Sequence, residues 1–561
     1  MRWILKPKPD HSVVVKLAES LNIDQVLAEL LVQRGIESFE DAKKFFRPDL
    51  ADLHDPFLMK DMDKAVQRIR KALDSGENIL VYGDYDVDGT TSVALLSSYL
   101  QTVSQQIASY IPDRYDEGYG VSYKGIDYAA DNDITLIIAL DCGIKAIDKV
   151  AYAQEKGIDF IICDHHRPGK QLPKAVAVLD PKREDCSYPY KELCGCGVGF
   201  KLIQALQTSF GGEIKDILQY LDLVATAIGA DIVPITGENR ILAYYGLQVL
   251  NKMPRIGFQA MLSQVKKKKL TITDVVFLLA PRINAAGRMK HGLHAVTLMT
   301  ATNYEQAVAY AKEIEVYNVD RKETDQSITI EALEQIKSKN EENRCTTVVY
   351  NASWHKGVIG IVASRLIETY YRPTLVFTKS GNKLAASARS VKGFDVYNAL
   401  ESCTDYIDQF GGHKYAAGLT MYEKNYDAFK NKFEEVVAKS IDSELKTPEI
   451  LIDVPLELDQ ISNKFYRILK QFAPFGPGNM APVFLTKALV DKGWGKCVGA
   501  DEKHLKLTVI KDKFQFDAIG FNLGNKYELI KSNKPFDAVY TIGENEWNNE
   551  IKLQLMLKDI N

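Results

Sequence analysis

No apolar run in this 561-residue chain approaches the ~18 residues needed to span a bilayer, which argues against a transmembrane helix. The opening Met1-Arg2-Trp3-Ile4-Leu5-Lys6-Pro7 is too short, and too soon broken by proline, for a signal peptide. Cysteine is sparse: eight are scattered, and Cys194-Gly195-Cys196 lacks the spacing of a zinc ribbon. Reduced thiols in a cytoplasmic protein are therefore expected. Positive charge is not in excess either. The net charge is −4, whereas dedicated nucleic-acid binders are usually basic, so any phosphate-binding surface must be local. No strand-to-helix Ser or Cys elbow offers a covalent nucleophile. Residues 303–340 lack both glycine and proline, so nothing interrupts a helical pattern from Tyr304 to Ser338.

What is present is acidic and histidine-rich, and it falls at strand ends. The apolar run Asn78–Gly83 leads into Asp84-Tyr85-Asp86-Val87-Asp88-Gly89. The run Thr135–Leu140 ends in Asp141-Cys142-Gly143, and Asp159–Cys163 ends in Asp164-His165-His166. Short apolar runs bounded by glycine or charge read as buried strands of a parallel sheet. Ligands of such sheets sit beyond the carboxyl ends of the strands. A lone strand-end Asp is commonly a cap or a turn residue, and Asp84 or Asp164 alone would carry little weight. Asp84, Asp86 and Asp88 within five residues are another matter, because three carboxylates repel unless a cation neutralises them. Oxygen and imidazole donors favour Mg²⁺, Mn²⁺ or Zn²⁺, and two such ions form the usual clamp for displacement at phosphorus.

These three motifs, with a fourth at Gly229-Ala230-Asp231-Ile232-Val233-Pro234, resemble the DHH phosphoesterase superfamily. Later segments resemble one branch of it, the RecJ family of bacterial single-strand-specific 5′ exonucleases. They are Arg282–Arg288, Trp354–Gly360, Ser387–Ser390, Gly411-Gly412-His413 and Pro474–Asn479. The resemblance implies a metal-dependent hydrolase degrading single-stranded DNA 5′ to 3′ to mononucleotides in DNA repair and recombination. The implied cofactors are two divalent cations, Mn²⁺ or Mg²⁺. Asp86, Asp88, Asp141, His165 and Asp231 would be their ligands, with Asp84 a ligand or a neighbour of one, and Asp141 would bridge the two ions. His166 would stabilise the scissile phosphate or protonate the leaving oxygen, with orientation of His165 as its structural alternative. Arg282, Ser387 and Arg389 belong around the terminal phosphate by the same resemblance, with Arg114 as a further candidate and His355 and His413 lining the cleft. Ala388 stands where the family often has glycine. The expected partners are single-stranded DNA and a helicase or single-strand-binding protein, and a monomer is expected. The competing functions are a phosphodiesterase for short oligonucleotides or cyclic dinucleotides, a polyphosphate hydrolase, and a non-catalytic replication scaffold.

Length and rhythm predict the organisation. An N-terminal helical extension covers 1–50, and a doubly wound α/β domain bearing the DHH motifs covers 51–302. A helical connector follows at 303–343, then a second, smaller α/β domain at 344–445. Residues 446–561 alternate by twos, for example Leu505–Val509 and Phe514–Ile519, which predicts a small β-barrel. The resemblance makes it OB-like, a fold that holds single strands on basic and aromatic faces. Phe514, Phe516 and Phe521 are candidates to stack bases, although alternating aromatics more often pack a core. Lys266–Lys269 form a lysine run that by itself reads as a solvated loop.

Overall fold

The computed structural model describes residues 1–561 apart from 264, 266, 268, 532, 533, 548 and 549. The chain opens with strand β1 (Arg2–Leu5) and three helices, His11–Leu21, Gln25–Val32 and Phe39–Phe46. A wholly helical 1–50 is thus corrected at its start. β1 pairs in parallel with the distant β12 (Glu449–Ile452), a long-range partner that local periodicity cannot reveal. For the same reason β12 is not a barrel strand, although Ile450–Val454 alternates like one.

The first domain is built on β2 (Asn78–Gly83), β3 (Ile107–Tyr110), β4 (Ile134–Leu140), β5 (Asp159–Cys163) and β6 (Ala177–Leu179). They form a wholly parallel sheet in the order β3-β2-β4-β5-β6. Its interior strands are apolar almost throughout because helices cover both faces. The register aligns Gly83, Leu140, Cys163 and Leu179 across four neighbouring strands. The residues that follow are Asp84, Asp141, Asp164 and Asp180, so four aspartates leave the sheet side by side.

The helix Tyr304–Ser338 is one uninterrupted element of 35 residues, about 50 Å long at 1.5 Å per residue. Its first half packs Ala307, Ile314 and Tyr317 into the first domain's core. Its second half packs Ile328, Ala332 and Ile336 into a second core. That core belongs to the mixed sheet β10-β11-β9-β8-β7, made of β7 (Thr347–Tyr350), β8 (Thr374–Ser380), β9 (Lys383–Arg389), β10 (Gln409–His413) and β11 (Ala416–Met421).

The C-terminal strands are β13 (Val454–Pro455), β14 (Phe484–Asp491), β15 (Lys496–Val498), β16 (His504–Lys511), β17 (Phe514–Gly520), β18 (Phe536–Trp547) and β19 (Glu550–Ile560). Pairing runs β14-β18-β19-β17-β16, and a further β14–β16 pairing closes the barrel. Its core is shared with the N-terminal helices: Leu27, Leu30 and Leu31 pack with Phe465, Phe472 and Phe484. Phe514 and Phe516 pack partly against this core, whereas Phe521 is exposed beside His504. Within the lysine run, Lys266 and Lys268 lie outside the described residues, and Lys267 pairs with Asp274. Among the described residues, no helix is long and apolar enough to cross a membrane.

Candidate metal centre

Asp86 caps the helix Val87–Leu100, accepting from the Gly89 amide at 3.0 Å. Asp88 lies in the first turn of that helix and is buried. Its two oxygens accept from the amides of Gly195 and Cys196, each at 2.7 Å. Those amides begin the helix Gly195–Ser209, whose first N–H groups have no partner within the helix. Asp141 follows β4 in a left-handed conformation, φ 59°. It packs so closely on Gly195 that a Cβ there would lie 2.6 Å from its own Cβ. Asp231 ends the helix Leu221–Ala230.

These groups converge on His165. Its Nε2 lies 3.2 Å from Asp141 Oδ1, 3.7 Å from Asp231 Oδ2 and 3.8 Å from Asp88 Oδ2. Asp88, His165 and Asp231 offer one set of donor atoms within 4.8 Å of one another, and Asp141, His165 and His166 offer another. Asp141 Oδ1 and His165 Nε2 are buried and, despite their approach, make no hydrogen bond among the described residues. Asp84 accepts from the Gly120 amide with Oδ1, while its buried Oδ2 has no partner among them. Burial first, and the neighbouring aspartates second, push the carboxyls of Asp84, Asp88 and Asp141 well above the usual range. The same two causes push Asp231 up to about 7. Burial, then the charge of His166, pushes His165 down to about 3, so its ring is neutral and able to donate to a metal. Crowded carboxylates, orphaned donor atoms and a neutral imidazole fit divalent cations.

The first residue of the Asp164-His165-His166 motif is a brace. Asp164 Oδ1 accepts from the amides of His165 and His166 and bonds Nδ1 of His166 at 2.8 Å, while Oδ2 accepts from the Ile144 amide. Burial opposes ionisation of Asp164, yet its bond to His166 and these amides hold it down at about 2. His166 is raised despite burial by the same bond. With Nδ1 engaged, Nε2 faces the cleft, 3.1 Å from the Tyr119 hydroxyl. Asp164→Asn would turn an amide NH₂ towards an N–H donor in either orientation. We expect it to cost about 1–3 kcal/mol in chemical denaturation. It should also lower the His166 pKa in an NMR titration, and an unchanged pKa would reject the brace.

A cationic cluster adjoins the carboxylates. Arg114 lies 4.5 Å over the ring of Tyr85, the residue between Asp84 and Asp86. Arg389 Nη1 donates to Ser387 Oγ at 3.0 Å and to the Ala388 carbonyl at 2.8 Å. Gly360 permits this packing, since a Cβ there would lie 2.9 Å from both Arg389 Nη2 and Ser387 Oγ. Arg288 donates to the Gly357 carbonyl at 2.8 Å, and Tyr115 donates to the Arg288 carbonyl while its ring packs at right angles to that of His355. Burial and the charges of Arg114, Arg389 and Arg321 press Arg288 down to about 9. Among the described residues, no carboxylate pairs with Arg114, Arg288 or Arg389.

Arg282 is placed elsewhere: its Nε pairs with Glu315 on the long helix at 2.6 Å. Arg288, six residues on, is turned by helix geometry to a different face and is the residue of this motif that meets Arg114 and Arg389. His413 is exposed at the end of β10, across Ala416 of β11 from Arg389 of β9. The sequence also did not single out Tyr119, Arg288 or Asp180. Asp180 is buried, and burial pushes it up to about 7. Its signal was the short apolar run Ala175–Leu179 before it.

Family models match residues 78–228 as the DHH family, N-terminal domain, residues 343–439 as the DHHA1 domain, and residues 452–559 as the RecJ OB domain. The single-stranded-DNA-specific exonuclease RecJ of Bacillus subtilis (strain 168) is 38% identical, over 100% of this chain and 70% of its own length. Its namesake in Escherichia coli (strain K12) is 32% identical over 95% of both chains. The crystal structure of RecJ in complex with Mn²⁺ from Thermus thermophilus superposes with a TM-score of 0.85 at 26% identity, covering 100% of this chain and 79% of that one. With its parallel sheet, second α/β domain and closed C-terminal barrel, the chain belongs to the RecJ family.

Proposed function

We propose that this protein is a two-metal exonuclease that degrades single-stranded DNA from the 5′ end to mononucleotides, in DNA repair and recombination. The observation that carries this reading is the adjacency of two sites of opposite charge. Arg114, over the ring of Tyr85, brings the carboxylate-free arginines next to Asp84 and Asp86. A terminal phosphate held there places the first phosphodiester bond near the carboxylates.

Asp86, Asp88, Asp141, His165 and Asp231 would hold two divalent cations, Mn²⁺ or Mg²⁺, with Asp84 beside this set. When bound, the cations supply Lewis-acid charge for the phosphate and activation of the attacking water. The chain's own residues fix the geometry. The Gly195 and Cys196 amides orient Asp88. His166, oriented by Asp164 and with Nε2 beside the Tyr119 hydroxyl, would donate a proton to the leaving 3′-oxygen. Ser387, Arg389, Arg288 and Arg114 hold the 5′-phosphate, Arg389 as a planar fork, with His355 beside them and His413 at the rim.

The closed barrel, with exposed Phe521 and Trp494, supplies a surface for a longer single strand and disfavours a substrate limited to dinucleotides. Every proposed ligand position is filled, which disfavours a scaffold. An enzyme confined to single strands acts on what a helicase opens, and these are the partners we propose for a monomer. All eight cysteines are free, which suits the reducing cytoplasm. The test is digestion of end-labelled single- and double-stranded DNA with Mn²⁺ or Mg²⁺, beside a cyclic dinucleotide and polyphosphate. Release of 5′-labelled mononucleotides from single strands alone is expected. Preferential cleavage of the cyclic dinucleotide, or release from the 3′ end, would overturn the proposal.

A further inference from the structure

We infer that the loop Phe475–Asn479 of the C-terminal domain is a positioning element of the metal centre, clamping the segment that carries Asp231. The inference rests on Asp231 being a ligand, as proposed above.

Asp231 stands where its helix has ended, and the next residue, Ile232, adopts φ 59°. A β-branched residue in the left-handed region is strained, and such strain persists only where the surroundings impose it. Between the end of one helix and the Thr236 cap of the next, residues 232–235 are held by contacts from elsewhere. The Pro234 carbonyl accepts from the Tyr190 hydroxyl at 3.2 Å and from Asn239 Nδ2 at 3.0 Å, both within the first domain. The other grip comes from the C-terminal domain. The Ile235 amide donates to the Pro477 carbonyl at 2.7 Å. Gly476 lies against Ile235 so closely that a Cβ would meet Ile235 Cγ1 at 2.5 Å. Gly478, at φ 74°, lies against Thr236, where a Cβ would meet Cγ2 at 2.9 Å.

The clamp is itself braced. Gly476 and Asn479 exchange backbone hydrogen bonds of 3.1 and 2.9 Å. The buried Asn479 side chain donates to the carbonyls of Phe472 and Pro474 and accepts from Arg34. Arg240, on the helix that follows the Asp231 segment, donates to the carbonyls of Phe472 and Ala473 and of Phe45, with its guanidinium 3.8 Å over the Phe45 ring. The segment and its following helix are therefore both fixed to the C-terminal domain. Groups that orient a ligand commonly set metal affinity nearly as strongly as the ligand itself.

The experiment uses the full chain and Mn²⁺ alone, titrated by electron paramagnetic resonance without DNA. Gly476→Ala should weaken Mn²⁺ binding about tenfold, while single-strand affinity in EDTA stays within about twofold of wild type. Adding Ile235→Ala to Gly476→Ala removes the clash and should recover most of the loss. If Gly476→Ala does not fold, Ile235→Ala alone, which opens a gap at the same contact, should still weaken Mn²⁺ binding. Unchanged Mn²⁺ affinity in these variants, or a loss confined to DNA affinity, would overturn the inference. Asp231→Ala separates the two failures. If it leaves Mn²⁺ binding intact, the ligand assignment falls and the inference with it. If it weakens binding while Gly476→Ala does not, only the clamp is rejected.

Discussion

Asp141→Ala and Asp141→Asn should leave less than about a tenth of wild-type turnover at saturating Mn²⁺, yet both should be at least as stable as wild type in EDTA. The loss follows from position. Asp141 stands between Asp88, Asp231 and the neutral ring of His165, its Oδ1 without a hydrogen bond among the described residues and 3.2 Å from His165 Nε2. Among the described residues, Oδ1 has no hydrogen bond to lose. The stability follows from charge. Burial and neighbouring aspartates raise this carboxyl well above the normal range, so in the metal-free chain its ionised form opposes folding. Removing it relieves that repulsion. The asparagine variant is the cleaner one, because Asn accepts the left-handed backbone at φ 59° more readily than Ala. Two measurements separate a functional carboxylate from a structural one: Mn²⁺ should raise the wild-type melting temperature and fail to raise the variants'. Turnover above that tenth, or a marked loss of stability in EDTA, would remove Asp141 from the centre.

The sequence disclosed what depends on local pattern. Strands that end in Asp84, Asp141 and Asp164 were legible because fully buried parallel strands are apolar on both faces and stop abruptly. The helix Tyr304–Ser338 was legible because nothing in it breaks a helix. What was not legible depends on contacts far apart in the chain. β1 finds its partner some 450 residues on, at β12. The Pro474–Asn479 motif stood out as a string, but only packing shows that it seats on Ile235 and Thr236. Asp164 looked like a turn residue, and the bond to His166 that gives it a purpose depends on ring orientation. Arg282 and Arg288 belong to one motif and one helix, so sequence could not decide between them. Six residues at 100° each leave them about 120° apart around the helix, one against Glu315 and the other against Gly357.

Arg389→Ala and Arg288→Ala should each abolish preference for a 5′-phosphate. The wild type is expected to degrade 5′-phosphorylated single strands more efficiently than 5′-hydroxyl ones. Each variant should bring the ratio of efficiencies towards one. Burial and the charges of Arg114, Arg389 and Arg321 press Arg288 down to about 9, and an entering phosphate would relieve that crowding of like charges. A charge-assisted contact between guanidinium and phosphate contributes roughly 1.5–3 kcal/mol, or about ten- to a hundredfold in binding. The loss should fall mainly on KM for the phosphorylated strand, because the aspartates and His165 are untouched. Arg389 gives the sharper test. It is braced by Ser387 and the Ala388 carbonyl, so Arg389→Lys keeps the charge but loses the planar fork and should recover only part of the preference. Arg282→Ala serves as the contrast. Its guanidinium is bound to Glu315, so this variant should leave the ratio unchanged whatever it does to stability. An unchanged ratio in Arg389→Ala would remove Arg389 from the pocket, and a collapse of the ratio in Arg282→Ala would relocate the pocket to the other end of the helix that carries Arg282 and Arg288.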